Sequence, residues 1–383
     1  MKILIATTYF EPYKSGLSVY AFRLAAGLSE LGHEVVVMSS QYLPELPRDE
    51  DMNGFKVIRV PVAFRLSKGV VMPSLAKVVK KWVQWADVVN LHLPQFESRV
   101  YAKQARQSGK PIVVTYHCDL NMSGGWLNRL AGNVTTEIGR RVFERADFIV
   151  QNSLDYAENS PLLRPYLQKV EEVPTPVEMI RVSAAQVTDF KEKYGIRPED
   201  KVLGLAGRVA TEKGFEYLVE AMPEVLKVHP EARVLHAGLW KSAIGEEAYQ
   251  VRIEALVKPL GDRWQSLGFL EDEEFRAFFG ACSLLVFSSL NSTESFGMVQ
   301  IEAMLQGTPV VASDLPGVRQ PVLRTGMGRI IPVRNSQALA QAVISILDER
   351  HSKAAIPEEY LRNFSQNEVA RKYESLFTEL VKA

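Results

Sequence analysis

Residues 293–317 read TESFGMVQIEAMLQGTPVVASDLPG. Glu294 and Glu302 stand eight residues apart in this stretch, with Phe296-Gly297 between them and a Gly-Thr-Pro turn and an apolar run behind. Eight residues is a little over two helical turns at about 3.6 residues per turn. A helix starting near Ser295 puts Glu302 inside it and Glu294 just before its first turn. Val299, Ala303 and the residues from Leu305 to Val311 bury the remainder, so the two acids are the polar exceptions. Acids at a helix entrance, beside free backbone N–H groups, suit a ligand rich in hydroxyls next to a phosphate. The spacing alone is weak, because acids recur eight apart on many solvated helices.

On both sides of this stretch, short apolar runs alternate with amphipathic segments, the pattern of an α/β protein with parallel sheets. Strands are expected at Lys2–Thr7, Glu34–Ser39, Lys56–Val60, Val88–His92, Ile112–His117 and Phe148–Gln151. The pattern restarts with Val202–Ala206, Arg233–Ala237, Trp264–Leu267, Leu284–Phe287, Pro309–Ala312 and Gly328–Pro332. Helices are expected at Ser18–Leu31, ended by Gly32, and at Gly214–His229, Ala248–Val257, Asp272–Phe279, Gly297–Gln306 and Ser336–Asp348. A last helix over Gln366–Lys382 has apolar residues at Val369, Tyr373, Leu376 and Leu380. Lys169–Val177, with two prolines, suits a linker. The expected organisation is residues 1–172, residues 173–365 and a terminal helical segment, 366–383.

A length of 383 residues suits two domains, each with its own core. The composition, 46% hydrophobic and 23% charged, is that of a soluble globular protein. Basic and acidic residues number 45 each, so no global field favours nucleic acid. Two cysteines, Cys118 and Cys282, are too few for a disulfide scaffold or thiolate metal site and fit a reducing cytoplasm. The amino terminus reads as a first strand rather than a signal peptide, and no run approaches the roughly 20 apolar residues of a membrane span.

A second motif, Gly207-Arg208-Val209-Ala210-Thr211-Glu212-Lys213-Gly214, joins an apolar strand to a helix. Arg208 and Lys213 therefore sit at the carboxyl end of a parallel strand, where open α/β sheets bind ligands. Two cations there can neutralise a diphosphate, Arg through its planar fork and Lys as a point charge. Alone, they could equally be solvated loop residues. His117 ends the strand Ile112–His117; a lone histidine there is more often structural, but its position at a ligand-binding edge favours function. His92, ending Val88–His92, is a weaker candidate of the same kind. Glu11–Leu17, with Gly16, links the first strand and helix closely enough for backbone N–H groups to approach a phosphate or sugar.

The quoted string resembles the signature of the retaining glycosyltransferases of family 4: Glu, seven residues, Glu, with Phe-Gly after the first acid. Gly207–Gly214 is similar to the family's Gly-Arg-x4-Lys-Gly, and Thr115–Asp119 to its His-Asp or His-x-Asp segment. The resemblance implies the GT-B fold, two Rossmann-like domains facing a central cleft. It implies an amino-terminal domain for the acceptor, a carboxyl-terminal domain for the nucleotide sugar, and a last helix that crosses back onto the first domain. Two departures occur: Ser15-Gly16 replaces two adjacent glycines, and Pro174-Thr175-Pro176-Val177 replaces Pro-Asn-Gly-Val at the hinge.

What the resemblance implies for the site follows residue by residue. Arg208 and Lys213 hold the donor's diphosphate, Glu302 takes the ribose hydroxyls, Glu294 holds the hydroxyls of the transferred sugar, and His117 contacts that sugar. Gly16, Gly238, Phe269, Leu270, Phe296, Gly297, Met298 and Val299 complete the donor contacts, largely through backbone. The implied reaction moves a hexosyl group from a UDP- or GDP-sugar to a hydroxyl acceptor, a lipid-linked or polysaccharide intermediate, with retention and with domain closure excluding water. No cofactor or metal is required, because the two cations already neutralise the diphosphate. A sugar-nucleotide epimerase or sugar-phosphate-dependent synthase on the same fold, and a non-catalytic nucleotide-sugar-binding protein, are the alternatives.

Two further features stand outside these motifs. Asp49-Glu50-Asp51 is a literal Asp-x-Asp, but its flanks, Pro44–Arg48 and Asn53-Gly54, read as loop, so a solvated acidic loop is expected rather than a metal site. Between Asp51 and Asp87 lie Lys56, Arg59, Arg65, Lys68, Lys77, Lys80 and Lys81 and no acid. There, Leu75, Val78, Val79 and Trp82 form an apolar helical face beside Lys77, Lys80 and Lys81. It reads either as a sheet-covering helix with a basic exposed side or as a contact for an anionic membrane surface.

Overall fold

The computed structural model describes residues 1–66, 69–120, 126–240, 246–349 and 356–382. The chain forms two compact units, Met1–Val177 with Arg362–Ala383, and Glu178–Leu361.

In the first unit the strands are β1 (Lys2–Ala6), β2 (Glu34–Gln41), β3 (Asp49–Met52), β4 (Phe55–Pro61), β5 (Phe64–Leu66), β6 (Gly69–Val71), β7 (Val88–Leu93), β8 (Ile112–Tyr116), β9 (Phe148–Gln151) and β10 (Val170–Glu172). Eight of them form one sheet in the order β10-β9-β8-β7-β1-β2-β4-β3, parallel except for β3, and β5 and β6 pair separately. Alternation along β1 explains both faces. Leu4 and Ala6 join a core covered by the helices Leu75–Trp85 and Ser98–Gln107. Ile3 and Ile5 join a core covered by the helices Gly16–Glu30 and Gln366–Lys382. Strands covered on both faces read as unbroken apolar runs, which is why they stand out in the sequence. The terminal helix contributes Val369, Ala370, Tyr373 and Phe377, all fully buried, to the second of these cores.

In the second unit the strands are β11 (Lys201–Ala206), β12 (Ala232–Ala237), β13 (Trp264–Gly268), β14 (Leu284–Phe287), β15 (Val310–Ser313) and β16 (Gly328–Ile331). Their order is β13-β12-β11-β14-β15-β16, all parallel. The chain builds the sheet outward from β11 in one direction, then returns to β14 and builds in the other. The crevice above the carboxyl ends of β11 and β14 is therefore a topological switch point, where such sheets take ligands. Leu203, Leu205, Val234, Val286 and Val311 pack there against the helices Phe215–Val228 and Ser336–Asp348.

Three local expectations need correction. The first helix runs Gly16–Glu30, not Ser18–Leu31, because Ser15 caps it: the Ser18 N–H donates to the Ser15 hydroxyl at 3.2 Å, and the Ser15 N–H to the Ser18 hydroxyl at 2.8 Å. Gly16 is thus its first helical residue rather than a loop residue, and the Ser15 hydroxyl is engaged in the cap. Asp49–Met52 is a strand rather than a loop, closed onto β4 by the turn at Asn53-Gly54. Its acids serve ion pairs, Asp49 with Lys56 at 2.7 Å and Glu50 with buried Arg59 at 2.6 Å. A third of the expected linker, Val170–Glu172, is the edge strand beside β9. The apolar face of Leu75–Trp85 is turned inward, with Leu75, Val79 and Val83 buried and Lys77, Lys80 and Lys81 exposed, as a sheet-covering helix requires. Lys68 lies outside the described residues.

Candidate active site

In the second unit, β11 delivers a loop of opposite charges to the switch point. After Ala206 the chain passes Gly207 and Arg208, makes a turn of 3-10 helix at Thr211–Lys213, and enters the helix Phe215–Val228 through Gly214. The loop is held from three sides. Glu246 accepts hydrogen bonds from the Thr211 N–H at 3.0 Å and the Thr211 hydroxyl at 2.6 Å. The Leu290 N–H donates to the Glu212 carbonyl, and the Ser288 hydroxyl to the Lys213 carbonyl. Buried His236 donates from Nε2 to the Gly207 carbonyl at 2.7 Å, since a carbonyl can only accept, and its Nδ1 meets the Ser266 hydroxyl at 2.9 Å. Burial holds the His236 imidazole down at about 4.

Lys213 Nζ lies 2.6 Å from a carboxylate oxygen of Glu294, and 5.2 Å from the centre of the Phe287 ring. Both side chains are about one-fifth exposed, so the pair is shielded yet reachable. This contact joins the loop after β11 to the loop after β14 across the switch point. Arg208 is more open and pairs with Glu212 at 3.1 Å. Each cation thus carries a carboxylate partner, and an anion entering the switch point would compete for the same N–H donors.

The helix behind Glu294 runs Met298–Leu305, within one residue at each end of the expected Gly297–Gln306 and three residues past a start at Ser295. Gly297 sets the start: its backbone sits at φ +83°, and a Cβ there would lie 2.5 Å from the Phe287 ring. Gln300 fastens the entrance, its amide donating to the Phe296 and Val318 carbonyls at 2.7 and 2.9 Å. The first turn has no side-chain cap and no acid among the described residues, so its positive end stays available to an anion. Phe296 is buried beneath it, whereas Met298 and Val299 are partly exposed, so Val299 does not join the core. Glu302 lies within this helix and is partly buried.

At the ends of β12 and β13, the Gly238 N–H donates to the Gly268 carbonyl at 2.8 Å. Gly238 has φ +155°, and a Cβ there would lie 2.0 Å from the Gly207 carbonyl oxygen, so only glycine fits. Phe269 is about half exposed beyond that edge, and Leu270 is buried.

His117 and Gly16 belong to the first unit. His117 follows β8, partly buried, its ring 2.9 Å from His92 through Nε2 and edge-on to Tyr20. Burial pulls the His117 imidazole down to about 3. His92 is fully buried, and burial next to His117 lowers it well below the usual histidine range. Gly16 is exposed at the start of its helix. Sequence reasoning missed Glu212 and Glu246 as loop partners and Asn90 as a partner of His92. Glu212 lay within the motif and Asn90 two residues before His92 on the same strand, whereas Glu246 acts from 35 residues away, which no local pattern marks. Among the described residues, no cluster of His, Cys, Asp and Glu has the geometry of a metal site.

Comparison with known proteins gives the family and the fold. Residues 186–367 match the family "Glycosyl transferases group 1", and residues 15–174 match the family "Glycosyl transferase 4-like domain". Among curated relatives, phosphatidyl-myo-inositol mannosyltransferase of Mycolicibacterium smegmatis is 26% identical, over 92% of this chain and 86% of its own. The 2-deoxystreptamine glucosyltransferase of Streptomyces kanamyceticus is also 26% identical, over 87% and 90%. Of the solved structures, Anabaena Alr3699/HepE in complex with UDP-glucose superposes with a TM-score of 0.79 at 18% identity, over 99% of this chain and 100% of that one. The fold is GT-B, built of two Rossmann-like domains. The chain belongs to the group 1 glycosyltransferases, and it is a hexosyltransferase enzyme.

Proposed function

We propose that this enzyme transfers a hexosyl group, with retention of anomeric configuration, from a UDP- or GDP-hexose to a hydroxyl of a lipid-linked or polysaccharide acceptor. The observation that carries this reading is the Lys213–Glu294 contact at the switch point, which sets a cation for a diphosphate beside a carboxylate for hydroxyls. Lys213 and Arg208 stabilise charge as it develops on the leaving diphosphate, where preorganised donors act most strongly. The uncapped start of Met298–Leu305 adds backbone N–H groups for the same phosphates. Glu302 accepts from the ribose hydroxyls and Glu294 from those of the transferred sugar, while His117 contacts that sugar. No carboxylate is assigned as nucleophile; the leaving phosphate helps deprotonate the acceptor on the same face. With two cations on the diphosphate, a metal is not required, and transfer is expected to persist in EDTA.

The edge formed by Gly238, Gly268 and exposed Phe269 would take the base. Support for a nucleotide sugar comes from the structural neighbour that binds UDP-glucose, and for a lipid acceptor from the mannosyltransferase relative. UDP or GDP should raise the melting temperature, ADP much less, because a ligand bound only by the folded state stabilises it. Equal shifts with all three would remove the base preference, and no shift with any would remove the donor.

No described helix is long and apolar enough to cross a membrane. We propose that the enzyme meets lipid-linked acceptors on the inner leaflet through exposed Lys77, Lys80 and Lys81, by charge alone, since the apolar face beneath them is buried. Each basic group near the surface contributes about 1 kcal/mol. Flotation with anionic vesicles at low salt should carry the protein upward, and high salt should release it. No flotation at low salt ends this part of the proposal.

A further inference from the structure

The buried polar chain behind His117 determines where that imidazole carries its proton. Asn90 Nδ2 lies 3.1 Å from the Val113 carbonyl and 3.0 Å from the Thr115 hydroxyl oxygen. A carbonyl only accepts, so the amide nitrogen faces it; the flipped amide would set two acceptors against each other. Asn90 Oδ1 then faces His92 Nε2 at 3.0 Å and must accept, which places the His92 proton on Nε2. His92 is fully buried, with a second histidine and, among the described residues, no carboxylate acting on its ring, so it is neutral and its Nδ1 bears a lone pair. His117 Nε2, 2.9 Å from that Nδ1, must donate. The far end is anchored too: the Thr115 hydroxyl lies 2.8 Å from the Tyr373 hydroxyl on the terminal helix, which lies 3.0 Å from that of Tyr20. Tyr20 sets its ring edge against both histidines, at 5.8 and 5.1 Å.

We propose that Asn90 and His92 are positioning residues that hold His117 as the neutral tautomer protonated on Nε2, so that its Nδ1 accepts a hydrogen bond from a hydroxyl of the transferred sugar. The proposal rests on the reading that His117 contacts that sugar, and gives the contact a direction. His117 receives the hydroxyl proton and neither donates to the sugar nor acts as an acid. A donor sugar lacking that hydroxyl, or carrying fluorine in its place, loses the contact, because fluorine cannot donate. His92 acts only through His117 and touches no substrate.

Nitrogen-15 NMR of histidine-labelled wild-type enzyme reads the tautomer without any assay of transfer. The expected result is a His117 signal pair with the proton on Nε2 and a bare Nδ1, unchanged from neutral pH to about pH 5. A proton on Nδ1, or a doubly protonated ring at neutral pH, overturns the proposal. His92→Phe removes the acceptor and should shift the His117 tautomer and lower kcat/KM about tenfold, the worth of one uncharged hydrogen bond. His92→Asn keeps an acceptor oxygen near the place of Nδ1 and should recover most of both. A shifted tautomer with unchanged kcat/KM in His92→Phe also overturns it. Should wild-type enzyme fail to transfer sugar at all, the function reading fails, while the tautomer is still read by NMR.

Discussion

Lys213→Ala is expected to lower kcat/KM for sugar transfer by about 10²- to 10³-fold, the scale for losing one preorganised donor to developing charge. Lys213 lies 2.6 Å from Glu294, in a pair only about one-fifth exposed. Removing the ammonium therefore has two consequences. The diphosphate loses a charge-assisted donor in a partly desolvated place, and Glu294 is left as an uncompensated carboxylate beside it. Both act against a trianionic leaving group, so kcat should fall more than KM rises. Steady-state kinetics with saturating acceptor separates these effects. Lys213→Arg keeps the charge but places a planar fork where the site holds a point charge, and should recover only part of the rate. Arg208→Ala should cost less, because Arg208 is more exposed and already shares Glu212. Unchanged turnover in Lys213→Ala would remove the diphosphate role.

The second large effect is loss of stability in acid. His92, His117 and His236 are all held below the ordinary histidine value by burial. Their neutral forms are therefore favoured in the folded chain, and the unfolded chain binds more protons between the two values. The stability they contribute is fully present above the unfolded value of about 6.5 and is lost as pH falls below it, down to about 4 for His236 and about 3 for His117. By about pH 5 the cost is about 2 kcal/mol for His117 and for His236, and protonating His92 is disfavoured in the same direction. The first unit carries two of them and the second one, so the first should weaken more. Urea unfolding at about pH 7.5 and pH 5, followed by a probe in each unit, should show a larger drop in midpoint for the first. A His236→Gln variant should flatten the dependence of the second unit alone. Equal stability at both pH values would contradict the burial of these rings.

Much of this architecture is legible in the sequence, for a physical reason. Strands of a sheet covered on both faces must be apolar throughout, so Lys2–Ala6, Phe148–Gln151 and Leu284–Phe287 stand out as runs. Glu294, Arg208 and Lys213 are legible because charges at strand ends have little structural reason to be there, and the structure brings two of them into contact. What the sequence hides is decided by partners that only the folded backbone brings together. Asp49–Met52 looks like loop because nothing local shows that Lys56 and Arg59 will neutralise its acids across an edge pair. The first helix begins early because Ser15 and Ser18 cap it reciprocally, and the helix after Glu294 begins at Met298 because Gly297, at φ +83° and with no room for a Cβ beside the Phe287 ring, is non-helical. The histidine chain is hidden most deeply. His92 and His117 are visible as strand-end residues, with Asn90 and Thr115 two residues before them, but only folding joins the two strands' side chains to one another and Thr115 to Tyr373, 258 residues further on.

The central claim is that the second unit recognises a nucleoside diphosphate through its phosphates. Calorimetric titration of the wild-type enzyme with UDP and GDP against uridine and guanosine tests it most directly. The account predicts saturable binding of at least one diphosphate, at least 100-fold tighter than its nucleoside, since charge-assisted hydrogen bonds at about 1.5–3 kcal/mol each supply the difference. Binding of the nucleoside as tight as that of its diphosphate would contradict the account.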